Sequence, residues 1–416
     1  MSNQQARVFL FLQGPISPFF KRIADGLEQK QHKVLRINLC LGDWLFWQRP
    51  GASNYRGNLA NWPRYIADYL DQHHVTDLIL LGEQRDYHKI AISEAKQRNI
   101  QVITTDFGYL RPDWITFERE GMSAHSLFPR DPHDIKRLAA QVPEPDLTHR
   151  YHDSFFTQAV WDITYHLSSF FLHFLYPGYR SHQIYHPILV YLGTGLHLLK
   201  TRYKAQKTHD LIEALHQKNT RYFLFPLQMQ NDFQIRVYSK FANLEAAIEE
   251  VMTSFAQHAP KDAHLVIKVH PLDPCLVNWW RFCEQLAKQH GIDERLHFVD
   301  GGSLKALLEK AQGVVTINST VGIWTLLVGR PLITLGSAIY DIVGLSSKLP
   351  LDAFWQNPPE PDIGLRDAFI RALAGTIQLR GVFYEATGLK AAVSEAVEKL
   401  DRNLINQPLP PNWNAS

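Results

Sequence analysis

The sequence predicts an α/β protein built from two Rossmann-like lobes. Three observations carry that expectation. Short apolar runs end in glycine, proline or polar clusters, amphipathic stretches of helical period lie between them, and the whole series starts again near residue 222. A length of 416 residues allows two or three domains at about 150 residues each.

The first series opens with a strand at 8–12, stopped by Gln13-Gly14-Pro15. Phe19, Phe20, Ile23 and Leu27 then recur at helical spacing. Strands follow at 34–39, 78–81 and 101–105, with helices at 62–71 and 90–98 between them. Strand and helix in alternation mean a parallel sheet covered on both faces, and ligands of such sheets bind at the carboxyl ends of strands. The loops of interest are therefore Gln13-Gly14-Pro15, Gly82-Glu83 and Asp106-Phe107-Gly108. The second series places strands at 222–225, 264–269, 313–317 and 331–335. Its helices fall at 242–258, 278–290, 303–311 and 321–328, with Ser303 as an N-cap. The expected division is a lobe over 1–150, a helical connection over 151–215, a second lobe over 216–350, and C-terminal helices and tail over 351–416. Two such lobes suit a nucleotide-sugar transferase with its site in the cleft, and equally any other two-domain doubly wound protein.

Composition narrows the function. Lys and Arg number 43 against 41 Asp and Glu, which gives no global electrostatic footprint for nucleic acid. Three widely spaced cysteines, Cys40, Cys275 and Cys283, make neither a disulfide framework nor a zinc ribbon and suit a reducing cytoplasm. The first apolar run is too short for a secretory segment, and no run is long enough to span a bilayer. The connection is distinctive: an apolar run at 188–199 is followed by Lys200, Arg202, Lys204 and Lys207. That pattern fits a helix lying on an anionic membrane surface, or a buried helix with cations at its C-terminal dipole end.

Four constellations carry chemistry. Asp106-Phe107-Gly108-Tyr109-Leu110-Arg111 follows a strand, with Glu118 beyond it. A carboxylate there serves as nucleophile or base, and Arg111 suits an anionic substrate group. Lys268-Val269-His270-Pro271 ends a strand and sets a cation and an imidazole on one side by the period of two. Asn318-Ser319-Thr320-Val321-Gly322 opens a helix, as a phosphate cradle or a simple cap. Gln228, Gln230 and Asp232 follow another strand and suit hydroxyl recognition.

Taken in order, LQGP, DFGYLRPDWITFE, PLQMQND, KVHP, NSTVG and LGSAIYDIVGL resemble the capsule polysaccharide biosynthesis family. The resemblance runs over roughly residues 8 to 345 and is specifically to the lipid-linked β-Kdo transferases that start the capsule Kdo linker. It implies a GT-B-type retaining glycosyltransferase that uses CMP-β-Kdo as donor and a phosphatidylglycerol-type lipid as acceptor. No metal or other cofactor is implied. The expected place is the cytoplasmic face of the bacterial inner membrane, peripherally bound, with other capsule assembly proteins as partners and no nucleic acid. On this footing Arg111 pairs with the Kdo carboxylate, and Lys268, His270 and Asn318-Ser319-Thr320 offset charge on departing CMP. Asp106 is the expected nucleophile, with Glu118 as its alternative or as the acceptor base. Gln13 and Gly14 line the substrate side, and Tyr340 with the Gly336 turn frames the cytidine. A sugar-nucleotide epimerase and a non-catalytic capsule assembly or export protein remain the alternative readings.

Overall fold

The computed structural model describes residues 6–183, 185–230 and 233–410. In chain order its strands are β1 (Val8–Phe11), β2 (Lys33–Asn38), β3 (Ser53–Asn54), β4 (Asp77–Leu81), β5 (Gln101–Phe107), β6 (Trp114–Arg119), β7 (Tyr222–Pro226), β8 (His264–Lys268), β9 (Leu296–Val299), β10 (Gly313–Thr316), β11 (Leu332–Thr334) and β12 (Gln378–Arg380). The helices of the first half are α1 (Phe19–Gln29), α2 (Leu41–Trp47), α3 (Trp62–His73), α4 (Asp86–Gln97), α5 (Pro132–Ala139) and α6 (Phe155–Phe171). Those of the second are α7 (Pro187–Gln217), α8 (Phe233–Arg236), α9 (Leu244–His258), α10 (Trp279–His290), α11 (Leu304–Lys310), α12 (Val321–Leu327), α13 (Leu351–Phe354), α14 (Ile363–Thr376) and α15 (Ala386–Asp401).

The chain forms two compact units: residues 1–129, 136–182 and 369–416, and residues 130–135 with 183–368. The first contains a seven-stranded sheet of order β12-β6-β5-β4-β1-β2-β3. Alternation along β1 explains its two cores. Phe9 and Phe11 face α1 and α15, while Leu10 and Leu12 face Trp62, Ile66 and Tyr87 of α3 and α4. Phe19, Ile23 and Leu27 of α1 are fully buried. Each such side chain contributes about 1.5–3 kcal/mol relative to exposure. The second unit is a five-stranded parallel sheet of order β11-β10-β7-β8-β9. Its helices start on side-chain caps: Asn243 accepts from the Ala246 N–H, Asn278 from Arg281, and Ser303 from Ala306 as expected.

In each unit the parallel strands run in the doubly wound order third, second, first, fourth, fifth: β3-β2-β1-β4-β5 and β9-β8-β7-β10-β11. The predicted α/β class with two Rossmann-like units is therefore what the chain adopts.

The differences from expectation are specific. The chain's last segment returns to the first unit: β12 pairs antiparallel with β6, and Leu389, Ala392, Ala396 and Leu400 of α15 pack on the face of α1. A three-residue strand is too short to show a period, so residues 351–416 read only as helices and tail. The connection expected over 151–215 is divided as well. Helix α6 belongs to the first unit and α7 to the second, with the change after His182. Strands β6 and β9 were not anticipated, because each interrupts its apolar pattern with charged or imidazole side chains.

Candidate functional site

In a doubly wound sheet the crevice opens where strand order reverses, outside the carboxyl ends of the first and fourth strands. In the second unit those strands are β7 and β10, and the residues beyond them are Gln228 and Asn318. The two amides clasp: Gln228 Nε2 donates to Asn318 Oδ1 at 3.3 Å, and the Asn318 N–H donates to Gln228 Oε1 at 3.2 Å. Asn318 Nδ2 donates onward to the Tyr238 carbonyl at 3.4 Å. Gly336 closes this corner, because a Cβ there would sit 2.8 Å from the Tyr238 carbonyl oxygen and 3.1 Å from that of Ile317. The sequence motifs at 228 and 318 are thus one structure.

Lys268, at the end of β8, is 5% exposed, and its ammonium donates to the Gly301 carbonyl just beyond β9. Burial pulls its pKa down from 10.5 to about 8, with Asp300 acting in the opposite sense. His270 is half-buried, and its Nδ1 accepts the Leu272 N–H at 3.1 Å. That bond fixes the ring so that Nε2 is its donor edge. Strand period alone puts Lys268 and His270 on one side. In the structure Lys268 is drawn toward β9, and His270 is held by its own turn.

Several expected residues play other parts. Tyr340 is 1% exposed; its hydroxyl donates to the Ser319 carbonyl at 2.5 Å, and its ring fills the space where a Gly322 Cβ would stand. It braces the turn from behind, so its expected place against the cytidine is corrected. Ser319 Oγ accepts the Val321 N–H at 3.2 Å, and the Gly322 and Ile323 N–H groups donate to the Ser319 and Thr320 carbonyls. Thr320 is the N-cap position of α12 and makes no side-chain cap bond. The helix start is therefore met mainly by backbone carbonyls rather than capped by Asn318 or Ser319 as one reading expected, while the Ser319 and Thr320 side chains are half-buried at the strand end. Gln230 bridges Glu245, at 2.9 and 3.0 Å, and the Tyr185 hydroxyl at 2.7 Å. Asp232 lies outside the described residues.

In the first unit the crevice strands are β1 and β4. Gln13, just past β1, is 2% exposed, and its Nε2 lies within 3.2 Å of Asp43 Oδ2 and of the Tyr165 and Tyr179 hydroxyls. It is a buried knot rather than a substrate contact, which corrects that expectation. Gly14 is needed for close approach, since a Cβ there would lie 2.4 Å from the Phe20 ring.

Asp106 and Glu118 stand on the antiparallel pair β5 and β6, where Thr104 faces Glu118 and Asp106 faces Thr116. Residues directly opposite point to one face, so the two carboxylates are diagonal neighbours. Asp106 is half-buried and accepts the Phe107 N–H at 2.7 Å. Burial raises its pKa, against the pull of that hydrogen bond and of Arg111 and Arg85. Glu118 is fully buried and accepts hydrogen bonds from the Tyr109 and Ser126 hydroxyls. An interior carboxylate held this way cannot reach an acceptor hydroxyl, so Glu118 is corrected from base to scaffold. Arg111 is exposed, lies over the Phe107 ring at 5.1 Å, and donates to the Gly108 carbonyl at 3.3 Å.

Sequence reasoning missed a cationic corner beyond β4. Arg85 precedes α4, and its charge acts on Asp106, His88, His166 and His182. Burial, with Arg85 beside them, pushes His88 down to about 3 and His182 down to about 2, so both rings are neutral at ordinary pH. The signal was present: Arg85 directly follows the Gly82-Glu83-Gln84 stop at a strand's carboxyl end. Asp300 and His197 were missed because β9 was missed. Their bond, 2.9 Å from His197 Nε2 to Asp300 Oδ1, ties α7 to the second sheet. Among the described residues, no three His, Cys, Asp or Glu side chains are grouped to hold a metal ion.

A family model described as capsule polysaccharide biosynthesis protein matches residues 76–384, which spans both units. The chain belongs to that family.

Among its relatives, the capsule polysaccharide export protein KpsS of Escherichia coli is 33% identical over 90% of this chain and 96% of its own. The capsule polysaccharide modification protein LipB of Neisseria meningitidis serogroup B is 31% identical over 92% of each. Among solved structures, the β-Kdo 2,7 transferase KpsC of Thermosulfurimonas dismutans covers 95% of this chain and 99% of its own, at 13% identity and a TM-score of 0.44. That last likeness is too weak to argue from.

Proposed function

We propose that the protein is a retaining GT-B-type glycosyltransferase of capsule polysaccharide biosynthesis, moving β-Kdo from CMP-β-Kdo to a phosphatidylglycerol-type lipid. It works peripherally at the cytoplasmic face of the inner membrane, beside other capsule assembly proteins. The observation that carries the reading is the carboxyl edge of the second sheet, where the Gln228–Asn318 clasp marks the crevice and Lys268 and His270 end the adjacent strand. Family membership supports the capsule context, and the resemblance of the ordered motifs to β-Kdo transferases is what suggests the sugar and the nucleotide.

Chemistry assigns the roles. CMP departs as a phosphate monoester, and the Lys268 ammonium and His270 Nε2–H offset the charge it gains. The Kdo carboxylate pairs with guanidinium, for which Arg111 and Arg85 are the candidates. Retention takes two displacements. Asp106 forms a bond to the anomeric carbon as the bond to CMP breaks, and the acceptor hydroxyl then displaces the Asp106 carboxylate and gives up its proton to solvent water. The nucleophile must be ionised, and the two arginines that act on Asp106 favour that form against its burial.

The Escherichia coli relative KpsS is named an export protein, so a non-catalytic role is the second reading. Incubation with CMP-Kdo and phosphatidylglycerol separates the readings. A transferase releases CMP and adds one Kdo mass to the lipid. An epimerase yields an isomer with no CMP, and an export protein yields neither; either result overturns the proposal.

A further inference from the structure

Helix α7 of the second unit is 31 residues long, and one of its faces lines a groove of about 910 Å³. That face changes character halfway along. Its N-terminal part brings Leu189, Leu192 and Leu196 to the groove, and its C-terminal part brings Lys200, Lys204 and Lys207. The opposite wall is formed by Leu276, Val277, Trp280 and Phe298. Gly193 lets the helix press against that wall, since a Cβ there would stand 2.4 Å from the Pro274 carbonyl oxygen. His197 then locks the two sides, reaching the Asp273 carbonyl at 2.7 Å and the Asp300 carboxylate at 2.9 Å.

The groove is built yet its walls are open to solvent. Leu192 is 62% exposed, Leu196 58% and Trp280 52%. Contiguous apolar exposure on this scale marks a binding surface, and the volume is that of a ligand site. The neighbouring acids are occupied: His197 holds Asp300, and His209 lies within 4 Å of both Asp210 and Glu213. Among the described residues none of the three lysines forms an ion pair. Val269 and Asp300, which follow β8 and β9, line the same groove and place it beside Lys268.

We propose that this groove seats one anionic phospholipid, its acyl chain along Leu189, Leu192, Leu196 and Trp280 and its phosphate on Lys200, Lys204 and Lys207. The inference rests on the lipid-acceptor reading and deepens it by naming where that acceptor binds. A second copy of the chain fits the face poorly. Parallel pairing of two α7 helices sets lysines against lysines, and antiparallel pairing sets lysines against leucines. A ligand with one apolar and one anionic end matches both halves.

The test uses the full chain and vesicles of phosphatidylglycerol with brominated acyl chains, which quench tryptophan on contact. The reference is the same measurement with phosphatidylcholine. Two variants are compared, Lys200→Gln/Lys204→Gln/Lys207→Gln and Leu192→Glu/Leu196→Glu; the changed leucines are exposed, and circular dichroism checks the fold. With each cation worth about fivefold near an anionic surface, the triple change weakens phosphatidylglycerol binding by ~10²-fold. The leucine pair abolishes quenching. Equal binding of phosphatidylcholine, or unchanged phosphatidylglycerol binding in both variants, overturns the proposal. So does a dimer in sedimentation that the leucine changes dissociate, or complete displacement of vesicles by inorganic phosphate. Transfer separates this inference from its premise. Wild type that binds phosphatidylglycerol through these residues but transfers no Kdo leaves the groove standing and removes the acceptor reading. Wild type that transfers, with variants keeping its KM for lipid, does the reverse.

Discussion

At the scale of single residues, Lys268 offers the sharpest test, because burial and charge oppose each other there. Its pKa is lowered to about 8, whereas an unfolded lysine keeps 10.5. Between those values the unfolded chain holds the extra proton, so stability rises with pH across that window. The cost of the buried charge is present below pH 8 and is relieved toward 10.5. Lys268→Met is thus expected to keep its fold and gain on the order of 1–3 kcal/mol at pH 7, less what the lost bond to Gly301 contributes. The same charge binds the nucleotide in the proposed reading. CMP affinity measured by calorimetry should fall above pH 8 by up to about tenfold per pH unit, and should be flat in the variant. Wild-type affinity that does not change between pH 7 and 9.5 would remove Lys268 from the donor site. His270 makes a second test. Its Nδ1 is tied to Leu272, so the ring is pre-set as a donor through Nε2. His270→Ala should lower turnover ~10²-fold with little change in melting temperature, the size expected for a lost charge-stabilising donor. A drop in melting temperature with normal turnover would make it a structural histidine. The place of these two residues at the end of β8 was legible in the sequence because a strand end is a local pattern. Tyr340 was not, since only packing against Gly322 shows that its ring faces inward.

At the scale of elements, legibility followed how local each signal is. The apolar strands β1, β4, β7, β8 and β10 fall within a residue or two of their expected bounds, because each buries a run of three to five side chains. Strand β12 escaped because its partner lies more than 250 residues away in sequence. Helix α7 was read only as an apolar run and a cationic cluster. Its full length emerges from bonds made at a distance: Thr201 and Thr208 donate to Asp300, at 2.9 Å each, as His197 does. Its two glycines looked alike in sequence, as helix-weakening residues. The structure distinguishes them, since a Cβ on Gly193 collides with the Pro274 carbonyl and one on Gly195 meets nothing within 4 Å. Gly195→Ala should therefore stabilise the protein by about 0.5–1 kcal/mol, by reducing the freedom of the unfolded chain. Gly193→Ala should destabilise it by about 1–3 kcal/mol, the usual range for forced overpacking. Urea unfolding of both variants decides the matter. Equal shifts of one sign would mean that α7 does not pack on the 274–277 segment as described.

At the scale of the whole molecule, the two units are assembled differently, and this makes ligand binding traceable. The first needs both ends of the chain: Arg7 donates to the Leu400 carbonyl, and β12 completes its sheet. The second is drawn almost entirely from one continuous stretch, 183–368. A ligand that binds only the folded form of one unit slows that unit's opening, by a factor near 100 when it is present at 100 times its dissociation constant. Hydrogen exchange then reads which unit holds the nucleotide. With CMP added, amides that exchange through global opening of the second unit should slow by about that factor. The strongest local effects are expected after β7, β8 and β10, where Gln228, His270 and Asn318 stand. The core amides of β1, β4 and β5 should exchange at their original rate. Neither half of this pattern follows from packing alone, because the strand order of the two sheets is the same. What separates the units is the chemistry at their crevices. The first offers the Asp106 carboxylate, with Arg85 set among neutral histidines, and the second offers a clasped amide pair, a buried ammonium and an imidazole donor. Slowing confined to residues 8–129 and 378–401 would assign the nucleotide to the first unit, and Lys268 and His270 would need another role.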